Sequence, residues 1–328
     1  MSNEPRKSSN LVALFNSVGP FFGLLLVLGF FSLSPELRPY LFTGANFKTI
    51  LCQTVIVAIG ALGMTIIIIS GGIDLSAGST VALTSVLGAT LLAKGFPPTT
   101  AIALMILAGG LIGLINGMII GGFRMMPFIV TLGMMSVVRG IAKWLANNQT
   151  VNNPPGTVIN DIMHRVEPTK LFPLPPGVWV AVGLAALMSL VMRRTVLGRY
   201  IFAIGGNEAA AHFSGIRVGF QKVIIYSLAG LFFGIAGLMQ LSRLTQGDPT
   251  GAAGLELDII AAAVIGGARL SGGTGSILGS MIGALIMAVL RNGSNQMGWP
   301  NFMQEIIIGS VIILAVGLDK LRQSRMNR

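Results

Sequence analysis

The chain is 328 residues long, with 53% hydrophobic residues, 10% charged residues and a mean hydropathy of +0.79. Soluble domains carry about 25% charged residues, so this composition excludes a water-exposed globule and specifies a polytopic membrane protein. The net charge of +11 does not mark a nucleic-acid binder: the basic residues cluster beside hydrophobic runs, at Arg193, Arg194, Arg199, Arg217 and Lys222 and again at Lys320, Arg322, Arg325 and Arg328, which is the positive-inside pattern.

Residues 1–10 form a polar tail in which Arg6 and Lys7 precede the first apolar run. No small-residue cleavage site follows, so the run is read as a retained helix rather than a signal peptide. A spanning helix needs about 20 mostly apolar residues. Candidates lie near 11–33, 47–70, 76–93, 98–122 and 125–146, and then near 177–192, 222–242, 257–268, 275–291 and 303–318. The expectation is therefore about ten crossings within a transmembrane domain at 11–319, with 257–268 the shortest of them. With the N-terminus in the cytoplasm, ten crossings place the 193–222 loop and the basic tail at 320–328 on the same side. The polar stretch 147–176, with Asn152, Asn153, Pro154, Pro155, Asp161 and Glu167, then lies outside. Lys143, Arg165 and Lys170 fall on that outer side but are sparser than the inner clusters.

Within the spans, Gly109, Gly113, Gly117 and Gly121, with Gly110 and Gly122 beside them, recur mostly at four-residue spacing, as do Gly230 and Gly234, with Gly237 close by. Small-residue faces of this kind let helices approach closely in lipid, and packing is the reading preferred over any ligand role. The other polar residues on apolar segments are Gln53, Thr54, Thr65, Asn116, Thr131 and Arg139. Gln53, Asn116 and Thr131 are candidates for a translocation path, weighed against plain interhelical hydrogen bonding. Arg139 is also placed to snorkel outward.

Two breaks interrupt the hydrophobic runs. Gly71-Gly72-Ile73-Asp74-Leu75-Ser76-Ala77-Gly78-Ser79 has a relative in Gly266-Gly267-Ala268-Arg269-Leu270-Ser271-Gly272-Gly273-Thr274. The pairing predicts an all-α chain built from two related halves, each carrying a broken helix. Such breaks at membrane depth are tolerated where protein or a water-filled cavity covers the freed backbone groups, as in transporters. Asp74 is read as a cap for the half-helix that follows in preference to a solute contact or gate, because the repeat sets Arg269 opposite it and a shared solute site would not tolerate the sign reversal. An Asp74 to Arg269 ion pair is a further expectation.

The loop between the halves holds a second signal. Gly205 and Gly206 break structure, Asn207 is a good N-cap, Glu208 complements the first turn of a helix, and Gly215 supplies a stop after Ala210, Ala211 and Ser214. The result is a helix of about two turns. Its composition suits a helix docked into a partner's groove and equally a connector lying on the headgroups.

Together the residues Gly71 to Ser79, Ala203-Ile204-Gly205-Gly206-Asn207 with Ala210, Ala211, Ser214, Gly215 and Ile216, and Val264-Ile265-Gly266-Gly267 with Leu270 to Gly273 resemble the permease subunits of bacterial ribose-type ABC sugar importers, from about Phe47 to the C-terminus. The resemblance implies a type II importer-like permease of the cytoplasmic membrane that works with a second permease copy or close paralogue, cytoplasmic ATP-binding subunits and a periplasmic or lipid-tethered sugar-binding protein. It also makes 205–216 the coupling helix that docks on the ATPase. Where the branched-chain amino acid branch usually has an Asn-Leu-Ala-His-Gly type of motif, this chain has Asp74-Leu75-Ser76-Ala77-Gly78, which favours a sugar. Branched-chain amino acid or nucleoside import, and an ion-coupled secondary transporter, are the alternatives. Against the last stands the poverty of mid-membrane acids: apart from Asp74 they sit in tails, loops or near segment ends, as Glu256, Asp258 and Glu305 do.

No lysine follows a glycine, so the chain lacks a P-loop and is expected to be a transport subunit that binds no cofactor itself, with Mg-ATP used by the partner ATPase. His164 and His212 are too few and too far apart in sequence for a metal site, no His lies in an apolar segment to serve a nucleophile, and the single Cys52 excludes an internal disulfide.

Overall fold

Prolines and hydroxyl caps set where the helices begin. The structure, a computed structural model, describes residues 7–164, 174–300, 302–310, 313–314 and 317, with the backbone alone for 7–18. The expected basic tail, Lys320 to Arg328, and Arg165, Glu167 and Lys170 of the outer loop lie outside the described residues.

Helix α1 (Lys7–Ser32) and the single turn α2 (Arg38–Leu41) lead to α3 (Gly44–Ile69). The Thr43 hydroxyl caps α3 by accepting the Asn46 N–H at 3.2 Å. After the first break comes α4 (Ala77–Ala93). Then α5 (Pro98–Gly122) and α6 (Pro127–Leu145) each start with proline in the first turn, where its missing N–H costs nothing. Strand β1 (Val151–Asn152) and the turn α7 (Val158–Asp161) precede α8 (Pro176–Arg194), which again opens on proline. The chain then forms α9 (Val196–Gly206), α10 (Glu208–Phe213), α11 (Val218–Leu244), β2 (Gln246–Gly247), α12 (Leu255–Ile265) and α13 (Ile277–Gln296). Residues 302–310 are helical as well.

Six helices among the described residues are long and apolar enough to cross a membrane: α3, α5, α6, α8, α11 and α13. Helix α4, at 17 residues, reaches about 25 Å. The expected crossing at 257–268 is corrected: α12 has 11 residues, about 16 Å, and ends at the second glycine break before it can span the roughly 30 Å hydrocarbon layer.

Helix α3 is apolar on every side, and 89% of its most hydrophobic window is buried, against 22–33% for α5, α6 and α8. A helix hydrophobic all round belongs in the core, and α3 packs there against α11, α12, α13 and α8. Helices α5 and α11 lie antiparallel along their glycines: Gly109 meets Gly230 and Gly234, Gly113 meets Tyr226 and Gly230, Gly117 meets Val223, and Gly121 meets Gly219. Gly237 instead seats against Thr84 and Val81 of α4. These contacts orient the bundle. At one end β1 pairs antiparallel with β2, Val151 opposite Gly247, and Gln296 Nε2 donates to Asn46 Oδ1 at 2.7 Å. The other end carries α9, α10 and both breaks.

Candidate functional site

The two breaks share a helix-end geometry. At the end of α3, the Gly71 N–H reaches the Ile68 carbonyl at 2.9 Å and the Gly72 N–H the Ile67 carbonyl at 3.0 Å, with Gly71 at φ +85. At the end of α12, the Gly267 N–H reaches Val264 at 2.9 Å and the Ala268 N–H reaches Ala263 at 2.9 Å, with Gly267 at φ +94. This is the left-handed glycine stop that satisfies terminal carbonyls. The structural equivalent of Gly71 is therefore Gly267 and not Gly266. Gly266 is packed backbone to backbone against Gly279. Counting on, Arg269 matches Ile73. The next helices start alike, with the Ser76 carbonyl accepting the Thr80 N–H at 2.8 Å and the Ser276 carbonyl the Ser280 N–H at 3.0 Å. The second break is longer, nine residues from Gly267 to Ser276 against five from Gly71 to Ser76. The expectation that Arg269 occupies the position of Asp74 is thus corrected, and the sign-reversal reasoning built on it falls.

What holds Asp74 is local. Its Oδ1 accepts the Ser76 N–H at 2.8 Å and the Ser76 hydroxyl at 2.6 Å, while Asn116 Nδ2 donates to Ser76 Oγ at 3.0 Å and to Asp74 Oδ2 at 3.4 Å. All three residues are buried, Asp74 to 1% exposure. The carboxylate sits ahead of the first turn of α4, where a helix N-terminus favours negative charge, and these hydrogen bonds hold it without the anticipated ion pair to Arg269. Thr131 Oγ1 lies 3.2 Å from the Ile73 carbonyl and 2.9 Å from the Pro127 carbonyl. Asn116 and Thr131 therefore brace the first break, whereas Gln53 lies toward the other end of α3. Gly78, at the start of α4, is wedged against Glu256 Oε2 and the Ala252 carbonyl. Ser271 is exposed on the second break.

Helix α10 is capped by Asn207, whose Oδ1 accepts the Ala210 N–H at 2.9 Å. Ser214 donates to the Ala210 carbonyl at 2.9 Å, and Gly215, at φ +87, closes the helix. Ala211 faces inward on Ile204 and Val218, while Ala210 is exposed and Phe213 is 88% exposed. Glu208 receives Lys222 Nζ at 2.8 and 2.9 Å on its two oxygens, tying α10 to the first turns of α11.

A three-way junction lies beneath this helix. The Gly273 N–H donates to the Ile69 carbonyl at 2.8 Å. Gly205, one residue from the end of α9, approaches so closely that a Cβ there would fall on the Ile69 carbonyl and within 2.6 Å of the Gly273 nitrogen. Gly272 lies against the backbones of Gly205 and Gly71. Gly206 points into open space. The end of α9 is thus packed at once on the Ile69 end of α3 and on the second break.

Residues 46–316 match the family model described as Branched-chain amino acid transport system / permease component. The chain belongs to this permease family. It is 40% identical over 302 residues to the ribose import permease protein RbsC of Escherichia coli (strain K12), a match covering 92% of this chain and 93% of that protein. Its identity to the ribose import permease protein RbsC of Bacillus subtilis (strain 168) is 38%, over 97% of both chains. The D-allose transport system permease protein AlsC of Escherichia coli (strain K12) is 33% identical over 96% of this chain and 95% of that protein. No solved structure matches. The resemblance carried by the 71–79, 203–216 and 264–273 motifs is borne out.

In this permease, sequence reading missed Lys222 as the partner of Glu208, the Ile69 carbonyl as a meeting point, and the pairing of buried Asp258 with the partly exposed Arg291. Asp258 was expected near a segment end; it is 2% exposed and paired with Arg291 at 2.6 Å. Arg291, an ionisable residue closing an apolar run, was the available signal.

Proposed function

We propose that this chain is the membrane-spanning subunit of an ATP-driven importer that carries a monosaccharide across the cytoplasmic membrane. The observation that carries the reading is near-full-length similarity to permeases named for ribose and D-allose, joined by relatives named for L-arabinose and galactose. In this reading the α10 end faces the cytoplasm and the β1–β2 end faces outward. The helices form two related halves, with 1–10, 193–222 and 320–328 inside and 147–176 outside. Solute passes between this chain and a second permease copy, delivered by an external sugar-binding protein.

Separate ATPase subunits supply the energy, and α10 docks on them. An exposed Phe213 on a short helix whose opposite side packs on α9 and α11 suits insertion into a groove. Closure of the ATPases then moves α10, and the Gly205 junction passes that motion to α3 and the second break. The test is uptake of labelled D-ribose, D-allose, L-arabinose and D-galactose by cells carrying the complete transporter, with and without deletion of this chain. ATP-dependent accumulation of at least one of them that disappears on deletion supports the reading.

A further inference from the structure

Toward the β1–β2 end, between α3, the last turns of α11, α12 and α13, lies a cavity of about 280 Å³. Its polar lining comprises Gln53, Gln240, Arg243, Asp258, Arg291 and Asn295. Arg291 grips only one oxygen of Asp258, with Nε at 2.8 Å and Nη2 at 2.6 Å from Oδ2. Asp258 Oδ1 and Gln53 Oε1 are buried acceptors that meet no donor among the described residues. Buried acceptors are rarely left unsatisfied, and two on one cavity point to something that enters bearing hydrogen-bond donors.

We infer that this cavity is a subsite for a neutral, polyhydroxylated solute, recognised by the free Asp258 and Gln53 oxygens as acceptors and by the Arg243 and Arg291 guanidiniums as donors. The inference rests on the import reading above and names a solute site within it. A hydroxyl both donates and accepts, so it matches this mixed wall. An anion would confront Asp258, and a cation would confront Arg243 and Arg291. The volume lies just below the roughly 300–1,000 Å³ of drug-sized sites, which suits a molecule of few heavy atoms. The ion pair has its own role: it fixes the Asp258 carboxylate through Oδ2 and leaves Oδ1 without a protein donor.

The test is protection from labelling. Asn295→Cys, in a Cys52→Ala background and in the full chain reconstituted in nanodiscs, is titrated with a polar maleimide. Millimolar D-ribose, D-allose or D-galactose should slow labelling several-fold, phosphate and lysine should not, and adding Asp258→Asn should abolish the protection. Because the primary measurement leaves Asp258 intact, a misfolded Asp258 variant does not spoil it. Labelling unaffected by every sugar, or slowed only by phosphate or lysine, overturns the inference. If the wild-type transporter imports sugar but no sugar protects, the subsite falls and the import reading stands. If sugars protect but none is imported, the reading falls and the subsite stands.

Discussion

The Gly273 amide donates to the Ile69 carbonyl at 2.8 Å, so the second helix break closes a carbonyl freed by the first. In a low-dielectric interior an orphan carbonyl is expensive, and this bond makes the two breaks one structural unit. Gly205 of α9 lies on top of that bond, and consequences follow from its position.

Gly205→Ala and Gly206→Ala should differ sharply. The first puts a methyl on the Ile69 carbonyl and the Gly273 amide, while the second puts one in open space. Overpacking costs about 1–3 kcal/mol, which at a coupling contact corresponds to a fall in import of about fivefold to 150-fold. Gly206→Ala should import within about twofold of wild type. Paired uptake and ATP hydrolysis rates in proteoliposomes check this, with Gly205→Ala hydrolysing ATP out of proportion to transport.

Ala210→Arg should insert and fold normally, since Ala210 is exposed, yet fail to hold the ATPase subunits, because the bulky cation sits on the docking face. Pull-down of the ATPase with the tagged permease reads this directly. Ala211→Arg, at a buried position, should instead lower the yield of folded protein. Wild-type uptake from Ala210→Arg would end the docking role of α10.

Around Asp74, Asn116→Leu removes the donor to Ser76 and Asp74 and should cost about 1–3 kcal/mol, seen as a lower melting temperature in detergent. Asp74→Ala should cost at least as much. Asp74→Asn should lose less, because its Oδ1 still accepts from Ser76 and the unpartnered Asn116 Oδ1 is free to turn toward the new amide. If Asp74→Asn keeps its stability but loses import selectively, Asp74 touches solute and the capping reading is wrong.

Along the α5–α11 seam, Gly113→Leu should collapse the yield of monodisperse protein, because a side chain there meets the Tyr226 carbonyl and the helices cannot part without losing their close packing. Gly122→Leu, with nothing within 4 Å, should behave like wild type in size-exclusion chromatography.

Much of this was legible in the residues themselves. The predicted 98–122 span coincides with α5 because Pro98 and the terminal glycines mark both ends, and Asn207, Glu208 and Gly215 announced α10 and its stop. The register of the two breaks was not legible. Each break carries a Gly-Gly pair, and only the backbone reveals that the first glycine is left-handed in one and the second in the other, so matching letters paired Asp74 with the wrong residue. Nor could spacing reveal contacts made across the fold. Gly205 meets Ile69 and Gly273, and Lys222 meets Glu208 fourteen residues away. Asp258 looked peripheral because the short α12 carries its acids into the bundle instead of leaving them at a membrane surface.

ATP-driven import is measured most directly as sugar accumulation by cells carrying the complete transporter, with the membrane potential and ATP collapsed separately. Uptake that survives an uncoupler while ATP is maintained, and stops when ATP is depleted with the potential intact, is the predicted result. Uptake that follows the potential and ignores ATP would contradict it and make this chain an ion-coupled carrier.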